Sequence, residues 1–178
     1  MPTLVRITEP TPAAVDRAQA VADSGIDAAA ARAGGTPTDG GVGSLAAIAA
    51  IRYAVFVDEQ GVDVAIEWDD HETTAEHILL VDAGQPIGTA RVRRVGDALK
   101  CERIAVRASA REAGWGARLM DACETIARER GLCECVLHAQ QRAAEFYSKQ
   151  GYVVDSDPFE EAGIPHVEMR LPLTADAE

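Results

Sequence analysis

Three strand-like stretches follow one another almost without a break: HILLVD (His77–Asp82), PIGTARVRRV (Pro86–Val95) and LKCERIAV (Leu99–Val106). Only AGQ and GDA join them. Gaps that short close antiparallel hairpins, because a parallel return needs a crossover of a dozen or more residues. The run therefore excludes a doubly wound, all-parallel sheet. Upstream, TLVRIT (Thr3–Thr8) predicts a strand ended by EPTP, and Ala13–Asp23 predicts a helix. A second helix is expected from a Ser44 cap onward, with Leu45, Ile48, Ile51, Arg52, Val55 and Phe56 at helical spacing. Downstream, Gly114–Arg130 is amphipathic and stopped by Gly131, and LCECVLH (Leu132–His138) is a strand. Gln140–Gln150 is a helix ended by Gly151, and Tyr152–Asp155 and His166–Leu171 are closing strands.

The order β-α-α-β-β-β-α-β-α-β-β makes one mixed α/β sheet with helices on its faces. A single domain is expected over residues 1–178. It is interrupted at about 25–43 by a Gly/Pro-rich flexible loop or insertion, AGGTPTDGGVG at its centre, because the piece before it is too small to fold alone. With 178 residues, 47 % of them hydrophobic, the chain can bury a substantial core. No apolar run approaches the ~20 residues that cross a bilayer, and MPTLVRITEPTP lacks a signal-peptide centre, so a cytoplasmic location is expected.

The formal charge is −12, and of 17 basic residues only Lys100 and Lys149 are lysines. Such a surface repels polyphosphates, so neither nucleic acid nor an anionic membrane is an expected partner. Acidic, lysine-poor, alanine-rich composition resembles proteins of salt-loving cytoplasms, where a Debye length of roughly 3 Å at 1 M quiets self-repulsion. The four cysteines, Cys101, Cys123, Cys133 and Cys135, form no CxxC pair and have no zinc-finger spacing. Reduced, buried thiols and no metal are expected.

The chemistry concentrates in ERIAVRASAREAGWGARLM, where strand, loop and helix meet. A helix start offers unpaired N–H groups and about half a positive charge. Glycines at 114 and 116 remove the Cβ atoms that would hold an anion away, and Arg111 adds a charged donor. Such a stretch can cradle a diphosphate; equally, it can serve close helix–strand packing. A Walker loop would need Gly-Lys-Ser/Thr, and a Rossmann site a preceding parallel βαβ unit; neither is here.

RIAVRASAREAGWGARLM resembles the acetyl-CoA-binding motif of the GNAT N-acetyltransferase superfamily, here Arg111-Glu112-Ala113-Gly114-Trp115-Gly116. AAEFYSKQGY resembles the family's Phe-Tyr-x-x-x-Gly-Phe helix end. RYAVFVDEQGV, EHILL, LHAQ and FEEAGIPHVEM look like its ElaA-type subgroup, so the resemblance covers roughly Ile51–Met169. It implies a GNAT fold: a central mixed, mostly antiparallel sheet of about seven strands with about four helices on its faces. The two splayed central strands would be Leu99–Val106 and Leu132–His138. It implies backbone pairing of the pantetheine arm at Ile104, Ala105 and Val106, and a diphosphate held by Arg111, Glu112, Ala113, Gly114, Trp115, Gly116 and Ala117. Trp115 departs from the usual basic or small residue and is either a stacking surface or a partly exposed anchor.

The implied activity is acetyl transfer from acetyl-CoA to an amine of a small molecule or protein, with a homodimer as the admissible assembly. Tyr147 matches the family's tyrosine acid; the alternative is that it only packs. For the base, water relaying a proton to Glu102 or His77 is the favoured reading, with His138 and His166 as rivals. Glu102 should share a face with Ile104 and Val106 by strand alternation. IEWDDHE (Ile66–Glu72) reads as an acidic lip for a cationic amine or as solvated surface, with Phe159 and Gly163–His166 as an opposite wall. A noncatalytic acyl-CoA-binding or regulatory module is the alternative function, and a nucleotide-binding protein a third.

Overall fold

The structure, a computed structural model, describes residues 1–24 and 42–173. Most of the expected 25–43 insertion lies outside the described residues. The described chain divides into two compact units, one drawn from Met1–Arg91 and Arg103–Leu119, the other from Val92–Glu102 and Met120–Glu178.

In the first unit, β1 (Thr3–Ile7) pairs antiparallel with β2 (Glu76–Asp82), from Thr3↔Val81 to Ile7↔His77. Helix α1 (Pro12–Ser24) opens after Thr11, whose carbonyl and hydroxyl oxygens accept from the Ala14 amide at 2.9 and 3.3 Å. A proline at the first helical position forfeits no hydrogen bond. The core of this unit joins Ala14, Ala18 and Ala22 of α1 with Leu45, Ile48 and Ile51 of α2 (Val42–Arg52) and Val5, Ile7, Leu79 and Val81 of the strands. Each large aliphatic side chain buried there contributes roughly 1.5–3 kcal/mol of transfer free energy. Helix α2 starts two residues before the expected cap, so Ser44 is a buried helical residue and not a cap.

Beyond Arg52 the helix widens into a π-helical turn, Tyr53–Asp58, marked by the bond from Glu59 N to Ala54 O at 3.2 Å. Sequence spacing carries the α pattern straight through Phe56, because one extra residue in a turn leaves no compositional trace. A short α3 (Val64–Glu67) follows, capped by Asp63, whose Oδ1 accepts from Ala65 N at 2.9 Å.

Strands β3 (Gln85–Val95) and β4 (Ala98–Val106) and helix α4 (Trp115–Glu129) contribute residues to both units. In the second unit, β4 runs parallel to β5 (Glu134–Gln140) over Ala98↔Glu134 to Lys100↔Val136. Strand β5 pairs antiparallel along its length with β8 (Ile164–Pro172). The strands β6 (Val153–Val154) and β7 (Phe159–Glu161) also pair with β8. Helix α5 (Ala144–Lys149) follows a 3-10 turn at Gln141–Ala143. The hydrogen-bonded order is β1-β2-β3-β4-β5-β8-β6, with β7 beside β8. Eight strands form a mixed, mostly antiparallel sheet, where about seven were expected; the addition is β7, inside PFEEAGIPH. Of the cysteines, Cys101, Cys123 and Cys135 are free and buried, but Cys133 is exposed, which corrects the expectation of four buried thiols.

Candidate active site

Of the two glycines singled out before α4, only Gly114 takes a left-handed backbone, and Gly116 already lies within the helix. Gly114 has φ 80°, and Glu112 reaches φ 66° without being glycine. Such left-handed turns curl successive amides toward one side. Gly114 O accepts the first intrahelical bond, from Arg118 N at 3.2 Å, so the amides of Trp115, Gly116 and Ala117 precede the helical ladder. Glu112, Ala113 and Gly114 are exposed, and Trp115, Gly116 and Ala117 are half-buried. Trp115 is thus neither sealed in nor free.

Arg111 donates Nε to Val106 O at 3.0 Å and Nη2 to both oxygens of Glu59, at 3.0 and 2.8 Å. It is therefore held to the end of β4 and to the residue after the π turn, an acid that the sequence reading did not connect with it. On β4, Ala105 is buried and Ile104 and Val106 are partly so. Arg103 has φ 52° in the strand interior, costing about 1–3 kcal/mol and breaking the pleat. The expected alternation from Glu102 to Ile104 and Val106 presumes a regular strand and does not carry across this residue.

Tyr147 is set by the end of its helix. Gly151, at φ 94°, receives the chain in the left-handed region. Its N–H donates to Ser148 O at 3.0 Å and Tyr152 N–H to Tyr147 O at 3.1 Å, closing a Schellman motif. The accompanying apolar contact is between the two tyrosines, whose rings meet edge to face at 6.2 Å, and the Phe146 ring lies 5.0 Å from that of Tyr147. Burial, followed by the nearby Cys101 and Cys123 thiols, pushes the Tyr147 phenol above its ordinary value, so it carries its proton at neutral pH.

The expected bases are both engaged. Glu102 receives Nε and Nη2 of Arg93 at 2.9 and 3.0 Å, with Lys100 Nζ at 3.5 Å. His77 is fully buried; its Nε2 lies 2.9 Å from Glu72 O, while Nδ1 has no hydrogen-bond partner among the described residues. Burial holds this imidazole below its ordinary value, so it is neutral at pH 7. His138 and His166 lie on β5 and β8 with Glu161 beside both.

IEWDDHE is solvated only in part: Ile66, Asp70 and His71 are exposed, but most of its acids are turned into the fold. Glu67 and Glu72 are buried, and three arginines far away in sequence pair with Glu67, Asp69 and Glu72. Arg52 donates Nε to Glu67 at 2.6 Å and both terminal nitrogens to Glu72 at 2.9 Å, and its guanidinium lies 4.3 Å from the Trp68 ring centre. Arg91 bonds Asp69 at 2.6 and 2.9 Å and Glu72 at 2.7 Å. Arg103 reaches Glu67 O at 2.9 Å and Asp69 at 3.2 Å, which ties the strained strand residue to this cluster. Burial raises the carboxyls of Asp69 and Glu72, but the guanidinium groups outweigh it and leave both below the usual range. The acids showed in the sequence; their distant cations did not. Among the described residues no group of three or more His, Cys, Asp or Glu is placed to hold a metal ion.

Comparison with known proteins bears on this geometry. Residues 43–173 match the family model of the acetyltransferase (GNAT) domain. A Bacillus subtilis (strain 168) protein, named provisionally as an acetyltransferase, is 46 % identical over 122 residues, covering 67 % of this chain and 83 % of its own length. A Lactobacillus plantarum crystal structure, provisionally an N-acetyltransferase, superposes with a TM-score of 0.72 at 27 % identity over 97 % of this chain and 99 % of that one. Escherichia coli ElaA gives a TM-score of 0.64 at 26 % identity, over 71 % and 88 %. A B. subtilis acetyltransferase solved in complex with CoA shares the fold at 16 % identity, with a TM-score of 0.56 over 68 % and 91 %.

Proposed function

The chain belongs to the GNAT acetyltransferases, and on that premise we propose that it transfers acetyl from the thioester of acetyl-CoA directly to an amine nitrogen of a small molecule or protein. The observation that carries this reading is the opening of α4, with left-handed Glu112 and Gly114, amides ahead of the ladder, and Arg111 alongside. Those amides and the guanidinium suit the diphosphate of the coenzyme. The backbone of Ile104, Ala105 and Val106 pairs with its amide arm. Acetyl-CoA supplies an activated acyl carbon; the rest is positioning and proton traffic.

In the transfer a C–N bond forms as the C–S bond breaks. Tyr147 gives its phenolic proton to the departing sulfur. Its burial supports this role, because the desolvation that keeps the phenol protonated equally disfavours a thiolate beside it. The amine's proton leaves through water to Glu102, whose part-exposed carboxylate is held in place by Arg93. His77, the other expected acceptor, is sealed from water and donates Nε2–H to Glu72 O. It serves as a reserve for that proton only if the cluster around Glu72 opens.

Titration calorimetry with CoA and acetyl-CoA, followed by a CoA-release assay over an amine panel, tests the proposal. Uptake of the coenzyme and amine-dependent release are expected. No uptake by folded protein ends the transferase reading; uptake without release reduces the chain to an acyl-CoA-binding module.

A further inference from the structure

In the second unit, Glu161 closes β7 with its side chain half exposed and an imidazole at each oxygen. Oε1 is 3.1 Å from His138 Nδ1, and Oε2 is 3.7 Å from His166 Nε2. Strand register delivers these groups. The β7–β8 hairpin turns through Ala162 and Gly163, at φ 51° and 73°, and pairs Phe159 with His166 and Glu161 with Ile164. The β5–β8 ladder then pairs His138 with Glu168. Phe159 meets His138 edge-on at 5.0 Å and stacks on His166 at 6.1 Å. His166 Nδ1 donates to Ile164 O at 2.7 Å, which fixes that ring.

The two carboxylates here are not equivalent. Glu168, with Oε2 3.5 Å from His138 Nε2, is bound through its other oxygen by Arg170 at 2.7 and 3.0 Å, and the hydrogen bond from Arg170 holds its carboxyl below the usual value. Glu161 faces only imidazoles among the described residues. A half-exposed carboxylate without a guanidinium, two residues along the strand from an aromatic ring that has one face on His166, suits an ammonium. The cation gains a charge-assisted hydrogen bond and a cation–π contact, whereas a neutral amine or alcohol gains neither in full.

We infer that Glu161, held by His138, and Phe159, backed by the His166 ring, form the subsite that receives the acceptor in its ammonium form, selecting a primary ammonium on an apolar group. The word acceptor rests on the transferase reading; the cation selectivity does not. Ligand-observed NMR on the full chain at pH 7 and low salt, without acetyl donor, tests it with phenethylammonium and its neutral counterpart 2-phenylethanol. The wild type is expected to bind the cation at least tenfold more tightly than the alcohol. Glu161→Gln should erase that difference, and Phe159→Leu, which keeps an apolar side chain in the hairpin, should weaken the cation several-fold. Glu145→Gln, an exposed acid on α5 paired with Lys149, should change nothing. Equal binding of the two probes, no binding at millimolar concentration, or full selectivity in Glu161→Gln overturns the inference. CoA calorimetry on the same samples separates the two claims: coenzyme uptake without cation selectivity sinks this subsite alone, and the reverse sinks the transferase reading alone.

Discussion

Tyr147 and Gly114 are where single atoms decide the outcome. If the Tyr147 phenol protonates the departing sulfur, Tyr147→Phe should lower kcat about tenfold or more while leaving the Kd for acetyl-CoA unchanged. Steady-state kinetics and calorimetry read the two quantities separately, and an unaltered kcat would leave the ring a packing role. Gly114 sits at φ 80° with open space where a Cβ would point, so alanine there meets backbone strain and no clash. Gly114→Ala should therefore cost about 1 kcal/mol, seen as a roughly fivefold weaker Kd for CoA. A Kd within twofold of the wild type would mean that the left-handed turn is not needed for binding.

At the scale of elements, α3 and the loop after it are held by charge where a larger helix would be held by apolar area. Breaking a buried ion cluster by removing one partner strands the others, which typically costs about 3–5 kcal/mol. Glu72→Ala leaves Arg52 and Arg91 without their shared carboxylate and should lower the urea unfolding free energy by that order. A loss under 1 kcal/mol would show that water replaces the carboxylate.

The same cluster sets an acid dependence. Asp69 and Glu72 titrate lower in the folded protein than their ordinary values of 3.8 and 4.5, so their contribution is complete above those values and fades as pH falls through the folded ones. His77 is also lowered, from 6.5, and the unfolded chain takes up its proton first. Stability should thus begin to decline as pH drops below 6.5 and decline further below 4.5. In His77→Asn the urea midpoint should stay flat between pH 7 and 5. A midpoint that rises on acidification in the wild type would contradict the sign.

For the molecule as a whole, the −12 charge is the dominant global term. Close exposed acids repel less as the Debye length shrinks from about 10 Å at 0.1 M to about 3 Å at 1 M. Raising potassium chloride over that range should stabilise the fold by roughly 1 kcal/mol, or about 2–4 °C in Tm for a chain of this size. A falling Tm would locate the important charges in the buried clusters. Within the described residues no helix is long and apolar enough to cross a membrane.

Element order was legible in the sequence from the short gaps between β2, β3 and β4, and from helix stops such as Gly131 and Gly151. These are local signals: a hairpin turn or a Schellman glycine needs only its neighbours. The turn that opens α4 was legible for the same reason, since Arg111 through Ala117 is one continuous stretch. The π turn at Tyr53–Asp58, the left-handed Arg103 and the strand β7 were not, because each depends on what the segment packs or pairs against. The clearest case is IEWDDHE: its acids are adjacent in sequence, but Arg52, Arg91 and Arg103 reach it only after the chain has folded. Likewise His138, Phe159 and His166 were visible one by one, Glu161 was not singled out, and only the register of three strands brought the four within reach of each other. Local conformation is written in neighbouring residues, whereas the pairing of buried charge is settled by tertiary contacts, because a carboxylate's energy depends on which cation the fold sets beside it.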